Sequence, residues 1–151
     1  MDKNELIENL KLICTESEKK DFFSGVELDF VIVGEKLNEF AKLLYNEKFS
    51  LLFISAVHME PEMAVIYQFV HLEEKIRIRG KVFTDKEKTV ETISDIFTGA
   101  CWYEREIMEF FGIDFNGNTD KRPLILSDSD KGLYPLLKKE GKAKSREDIG
   151  L

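Results

Sequence analysis

The residues best able to do chemistry stand together in Cys101 to Phe115, CWYEREIMEFFGIDF. There Glu104, Arg105 and Glu106 fall between an aromatic pair and a run of core-type residues, with Glu109 close behind. Two carboxylates and a guanidinium at this density suit acid–base catalysis, metal binding, a solvated helix face or a contact with another protein. Helical geometry argues against the first. Residues two apart on a helix point about 200° from each other, so Glu104 and Glu106 share no face. A two-carboxylate mechanism needs its second member from another element, and the sequence nominates none. A stand-alone carboxylate-dependent hydrolase is thus an alternative without a named partner residue, and no catalytic residue is assigned.

Metal and cofactor chemistry finds little to work with. His58 and His71 are the only histidines, and they fall at opposite ends of a proposed hairpin strand, about 20 Å apart at the rise of an extended chain. Cys14 and Cys101 are isolated, with no Cys-x-x-Cys pair, so they imply neither a disulfide framework nor an iron–sulfur cluster held within the chain. The loops Asn116-Gly117-Asn118-Thr119-Asp120 and Asp128-Ser129-Asp130-Lys131-Gly132 are rich in oxygen donors. Counted against the twelve-residue calcium template, however, they lack its Gly and bidentate Glu, and read as turns. Neither glycine-rich phosphate-binding pattern occurs. The expectation is a chain with no cofactor or metal of its own.

The elements that must position the cluster follow from periodicity. Leu6, Ile7, Leu10, Ile13 and Cys14 predict an amphipathic helix from Asn4 to about Lys19, capped by Asp2 or Asn4. Val26 to Ile32 alternates as a strand and is broken by Gly34. A second helix buries Leu37, Phe40, Ala41 and Leu44. Leu51 to His58 and Ala64 to His71 form a hairpin, and Lys75 to Val82 a third strand with a bulge or bend at Gly80. Thr89 to Phe111 is predicted as one helix. The order αβαβββα with short strand connections predicts a single α+β domain over residues 1–137, a mainly antiparallel sheet with helices packed on it. An irregular segment and a charged, mobile tail over residues 138–151 follow.

On that last helix Ile93, Phe97, Ala100, Glu104, Ile107 and Phe111 form one seam, apolar except at Glu104. If Gly99 breaks the helix, the seam changes phase and Glu104 faces solvent. If not, a buried carboxylate needs a specific partner, in the chain or across an interface. Arg105 stands four residues before Glu109, the spacing of an intrahelical pair. Lys75, Arg77, Arg79 and Lys81 share a strand face, either to dock a partner or to pair with Glu27 and Asp29 across the sheet.

Bulk properties narrow the setting. The net charge of −7 and pI near 5.0 disfavour nucleic acid as a partner. Apolar runs reach four or five residues, far short of the roughly 20 a membrane span needs, and no apolar leader opens the chain. Membrane association is expected to be indirect. Isolated cysteines fit a reducing cytoplasm.

The run from Ile93-Ser94-Asp95-Ile96-Phe97 through Trp102-Tyr103-Glu104-Arg105-Glu106 to Glu109-Phe110-Phe111-Gly112-Ile113, Phe115 and Gly117 closely resembles the signature of the 30 kDa subunit family of respiratory NADH dehydrogenase, complex I. That family also occurs in membrane-bound energy-converting [NiFe] hydrogenases. Where its members typically read Gly-His-Pro-Asp-x-Arg-Arg, this chain has Gly117-Asn118-Thr119-Asp120-Lys121-Arg122-Pro123. Asp120 and Arg122 match, while the His, the Pro and the second Arg are replaced. The family's downstream His-Pro-x-Arg-Lys-Asp-Phe-Pro segment is represented only by Gly132 to Lys138. Arg122-Pro123-Leu124-Ile125-Leu126 resembles the hydrogenase branch.

The resemblance implies a subunit without a redox centre that braces the large subunit of such a complex. Nickel–iron and iron–sulfur centres are then expected in partner subunits, with this chain among the hydrophilic subunits on the cytoplasmic face of the membrane. It further implies Trp102, Glu104, Arg105, Glu106, Glu109, Phe111, Gly112, Asp120 and Arg122 as motif and partner-contact residues. The equivalent subunit of an NADH- or other donor-linked quinone oxidoreductase is the nearest alternative, and a free adaptor domain a more distant one.

Overall fold

In the computed structural model the chain is described over residues 3–19, 25–59, 61–139 and 142–150. Helix α1 (Lys3–Lys11) buries Leu6 and Leu10 and is followed directly by strand β1 (Cys14–Lys19). The helix expected to reach Lys19 therefore stops eight residues early. Its apolar stripe ends at Ile13, and Ser17 and Glu18 offer nothing to bury at the next helical positions. Pairing with β2 (Leu28–Ile32) instead satisfies the backbone from Cys14 to Lys19. Asn4 lies inside α1 rather than capping it, and Asp2 lies outside the described residues.

A 3-10 turn at Gly34–Lys36 leads into α2 (Leu37–Asn46), whose buried residues are the predicted Leu37, Phe40, Ala41 and Leu44. The hairpin of β3 (Ser50–Met59) and β4 (Glu62–His71) forms as expected, closed at Met59↔Glu62. Strand β5 (Ile76–Phe83) pairs antiparallel with β4 and parallel with β2. The result is a five-stranded mixed sheet in the order β1-β2-β5-β4-β3, antiparallel except at β2–β5. The α+β class and the mainly antiparallel sheet read from the sequence hold, with a separate two-stranded sheet beside it.

Gly80 makes no bulge. It stays in register with Tyr67 on one side and Phe30 on the other. Its role is close approach. A Cβ there would lie 2.5 Å from Ile32 Cδ1 and 3.3 Å from the Phe40 ring, so glycine leaves the room into which Ile32 and Phe40 pack. Around it Phe40 meets Phe30 edge-on at 5.8 Å and Phe69 at 6.1 Å.

The long helix expected from Thr89 divides. Thr89–Glu91 is strand β6, paired parallel with β7 (Asp114–Asn116), and turns carry the chain to α3 (Ala100–Phe111). Gly99 stands at the N-cap of α3. Ile93 and Phe97 remain buried although they are not on α3. Phe97 is held between Phe69, at 5.3 Å, and Tyr45, at 5.5 Å. Helix α3 lies against β3, where Tyr103 Oη donates to the Leu52 carbonyl at 2.9 Å beside an irregularity in the ladder between Leu51 and Phe53. In the 138–151 region Lys139 and Lys142 exchange backbone hydrogen bonds, and Lys139 pairs with Asp148 at 2.9 Å.

Two glycines test this packing in opposite senses. Gly80→Ala overpacks the contact of α2 with the sheet and is expected to lower stability by about 1–3 kcal/mol. Gly99 has a φ of −63° and open space at its Cβ position. Gly99→Ala is therefore expected to be neutral or to gain up to about 1 kcal/mol. Urea unfolding midpoints of the two variants against wild type check both.

Candidate functional site

Helix α3 distributes the charged cluster by its own periodicity. Ala100, Glu104 and Ile107 face the interior, Arg105 lies on the flank at 7% exposure, and Glu106 faces solvent. Glu104 and Glu106 thus form no carboxylate pair. Glu104 is 0% exposed even though the helix begins at Gly99, so the break does not free it.

Its partners are neutral and lie within the chain. Thr92 Oγ1 and Asn118 Nδ2 each donate to Oε2 at 2.7 Å, and the Ile93 N–H donates to Oε1 at 3.1 Å. Each partner is itself held. Because the Thr92 hydroxyl proton points to Glu104, Thr92 Oγ1 accepts from the Ser94 hydroxyl, at 2.8 Å, and from the Ser94 N–H. Asn118 Oδ1 accepts the Asp120 N–H at 2.9 Å. Burial raises the Glu104 pKa; the Thr92, Ile93 and Asn118 hydrogen bonds and the more distant charge of Lys121 pull it the other way. Tyr67, fully buried beneath, carries the one buried side-chain polar atom without a partner among the described residues. Burial and the Glu104 charge push its pKa well above the phenol range, so it stays neutral.

The expected Arg105–Glu109 pair does not form, because both side chains reach outward to the segment after β7. Arg105 Nε donates to the Arg122 carbonyl at 3.0 Å and Nη2 to the Pro123 carbonyl at 2.8 Å, while Nη1 lies 3.4 Å from Asp120. Glu109 accepts the N–H groups of Leu124 and Ile125, at 2.6 and 2.9 Å. Residues 118–125 therefore run alongside α3, tied by Glu104, Arg105 and Glu109 in turn. Asp120 receives a two-pronged bond from Arg122, at 2.8 and 2.7 Å. These bonds, aided by Arg105, hold its carboxyl well below the usual range.

The remaining motif residues shape or face the surface. Phe111 is half-buried against the core. Gly112 ends α3 with a φ of 69°, and a Cβ there would lie 3.2 Å from the Tyr134 ring. Trp102 is 61% exposed with the Arg105 guanidinium 5.2 Å from its ring, and the Arg122 side chain is 80% exposed. Thus Glu104, Arg105, Glu109 and Asp120 bind the chain to itself, and Trp102, Glu106 and Arg122 point outward.

The basic strand pairs across the sheet with the acidic residues named from sequence. Arg79 forms an ion pair with Asp29, and the Arg77 N–H donates to Glu27 at 2.6 Å. Lys81 lies over the Phe83 ring, and Lys75 falls before β5 in a left-handed turn. His58 accepts from the Lys138 N–H and His71 from the Glu74 N–H, at opposite ends of the hairpin. Among the described residues no group of three His, Cys, Asp or Glu side chains could hold a metal. Burial pushes the Cys14 thiol up to about 12.

The motif and this fold together match a known family. Residues 30–146 match the model described as respiratory-chain NADH dehydrogenase, 30 Kd subunit. The chain belongs to that family. The C subunit of the NADH-quinone oxidoreductase of Rickettsia felis is 31% identical over 141 residues, covering 89% of this chain and 68% of that protein. Several shorter matches carry the same name, and the chain spans about a third of their length. A chain of the membrane-bound sulfane sulfur reductase, an archaeal respiratory membrane complex, superposes with a TM-score of 0.73 at 26% identity, covering 89% of this chain and 83% of that one. A trypsin-resistant fragment of Nqo5 shares the fold, with a TM-score of 0.62 and coverage of 80% and 99%. Among the described residues no helix is long and apolar enough to cross a membrane.

The sequence reading missed Asn118, Thr92 and Tyr67. Asn118 did carry a signal, as the position where the chain departs from the family's His inside an otherwise matching motif. Thr92 and Tyr67 carried none, since only the folded chain brings them to Glu104.

Two outcomes test this network. Glu104→Gln places an amide among three donors and is expected to cost about 1–3 kcal/mol in urea unfolding near neutral pH. Its pH dependence has a definite sign. A carboxyl whose folded pKa is raised favours the fold fully below its unfolded value of about 4.3, and that benefit is lost as pH rises through the folded pKa. The margin of wild type over Glu104→Gln is therefore expected to shrink as pH rises from about 4. Asp120 has the opposite sign, because its depressed pKa adds stability above about 3.9 that is lost toward acid. Asp120→Asn is expected to flatten the acid limb of the same titration.

Proposed function

We propose that this chain is a cofactor-free bracing subunit of a membrane-bound energy-converting complex of the [NiFe]-hydrogenase type. It docks on the catalytic large subunit at the cytoplasmic face of the membrane, and the metal centres lie in its partners. The observation that carries this reading is the division of labour on α3. Buried Glu104 and Arg105 and half-buried Glu109 fix the segment 118–125 against the helix, and that base presents Trp102, Glu106 and Arg122 to the outside. An exposed Trp set over a guanidinium, with both signs of charge beside it, has the composition of an interface anchor. The Arg122-Pro123-Leu124 run supports the hydrogenase side, and the likeness to a chain of an archaeal respiratory membrane complex supports a place in a membrane-bound assembly. A second reading, the corresponding subunit of a donor:quinone oxidoreductase, is favoured by the relatives that are C subunits of NADH-quinone oxidoreductase.

Capture of the gently solubilised complex through this chain, followed by mass spectrometry, tests both readings. A co-purifying large subunit with nickel-ligating Cys-x-x-Cys pairs supports the first, and one lacking them supports the second. Trp102→Ala combined with Glu106→Arg is expected to weaken docking by about 2–4 kcal/mol and abolish recovery of the large subunit. The isolated variant should unfold at the wild-type urea concentration. Undiminished recovery by this double variant would refute docking through α3.

A further inference from the structure

Beside the docking face, α3 and the loop over residues 121–134 line a half-open pocket of about 260 Å³. Its charge is opposite to that of the chain. Arg105, Lys121, Arg122 and Lys131 line it against Glu109 and Asp114, in a protein of net charge −7. All of these charges but one are already engaged: Asp120 takes up Arg122 and lies 3.4 Å from Arg105, whose other nitrogens donate to carbonyls. Both Glu109 oxygens accept backbone N–H groups, and Asp114 is paired with Lys121. Lys131 is exposed on the rim, and its amine has no partner among the described residues. The floor is apolar, formed by Met108, Ile113, Leu126 and Tyr134.

One wall is built at a conformational cost. Tyr134 holds a left-handed backbone, with a φ of 43°, that aromatic residues rarely adopt. It is kept there from both sides. Its ring lies over Gly112, the Lys144 amine donates to its carbonyl at 3.0 Å, and the Leu136 N–H donates to the Phe110 carbonyl at 3.0 Å. Backbone strain of this kind gathers where a surface must hold a fixed shape for a ligand.

We propose that this pocket binds a carboxylate carried on a short apolar stem, with the stem on Met108 and Leu126 and the carboxylate facing Lys131. The volume lies below the roughly 300–1,000 Å³ of sites for drug-sized ligands, so it suits one residue or a short acid. Two sources share this chemistry, the C-terminal residue of a polypeptide and a free aliphatic acid. The site lies within this chain and is tested without a partner subunit, although Arg122 belongs both to its lining and to the proposed docking face.

The test is a titration of the isotope-labelled full chain, followed by amide NMR, with four probes: octanoate, octyltrimethylammonium, the peptide N-acetyl-Gly-Gly-Leu with a free carboxylate, and its C-terminal amide. At least one acid is expected to shift the amides of Gly112, Ser127 and Gly132, and the tighter acid identifies the source. Lys131→Glu is expected to weaken that binding about tenfold. Lys86→Glu, an equal charge change at an exposed site outside the pocket lining, should leave it unchanged. The proposal fails if neither acid shifts these amides, if the cation or the amide binds as well as its acid counterpart, or if the two lysine variants behave alike.

Discussion

An enclosed carboxylate held by neutral donors is the constraint around which this half of the molecule is arranged. Among the described residues Glu104 has no cation in contact, so its burial is tolerated only while Thr92, Ile93 and Asn118 supply their three hydrogen bonds together. Those donors come from the turn after β6 and the loop after β7, and the acceptor comes from α3 between them. One side chain thereby ties α3 to the ends of the paired strands β6 and β7, which no ladder joins to the helix.

The rest of the charged cluster extends the same device along the helix. Residues 118–125 have no helix or strand of their own, and their backbone groups need partners from elsewhere. Arg105 supplies donors to two carbonyls, and Glu109 supplies acceptors to two N–H groups. A guanidinium and a carboxylate one turn apart could have neutralised each other along the helix. Such an exposed pair is worth only about 0.2–0.5 kcal/mol, whereas charge-assisted bonds to backbone contribute roughly 1.5–3 kcal/mol each. The stronger bonds decide the geometry, and they give the helix a firm second layer from which Trp102 and Arg122 project.

Much of the fold was legible because its signals are local. The α2 stripe of Leu37, Phe40, Ala41 and Leu44, the apolar runs of β3 and β4 and the alternation of β5 are signals within each segment, and the structure follows them. The errors fall where a segment's state depends on a distant strand. Cys14 to Lys19 becomes a strand because β2 lies beside it, and Thr89 to Glu91 because β7 does. Neither pairing is encoded in the segment itself. At the site, the cluster was visible in sequence but its direction was not. Periodicity placed Glu104 in the seam correctly, yet charge spacing suggested an Arg105–Glu109 pair that the loop after β7 draws apart. The matching family motif located the element without saying which of its charges turn inward.

Asn118 shows how the chain departs from its family's pattern while keeping a working site. The family's His at that place offers one ring donor and one ring acceptor when neutral, and an Asn amide offers both functions as well. Here the amide N–H donates to Glu104 and the amide oxygen accepts from Asp120 N–H, so one side chain joins the buried carboxylate to the start of the segment along α3. The difference lies in titration. A histidine beside a buried carboxylate gains a proton readily and turns the contact into an ion pair whose strength changes over the physiological range. An amide cannot, so in this chain the Glu104 carboxyl is the only group in its own hydrogen-bonding shell that can take up a proton. The link between α3 and the outer segment therefore stays the same from about pH 6 to 8 on its donor side.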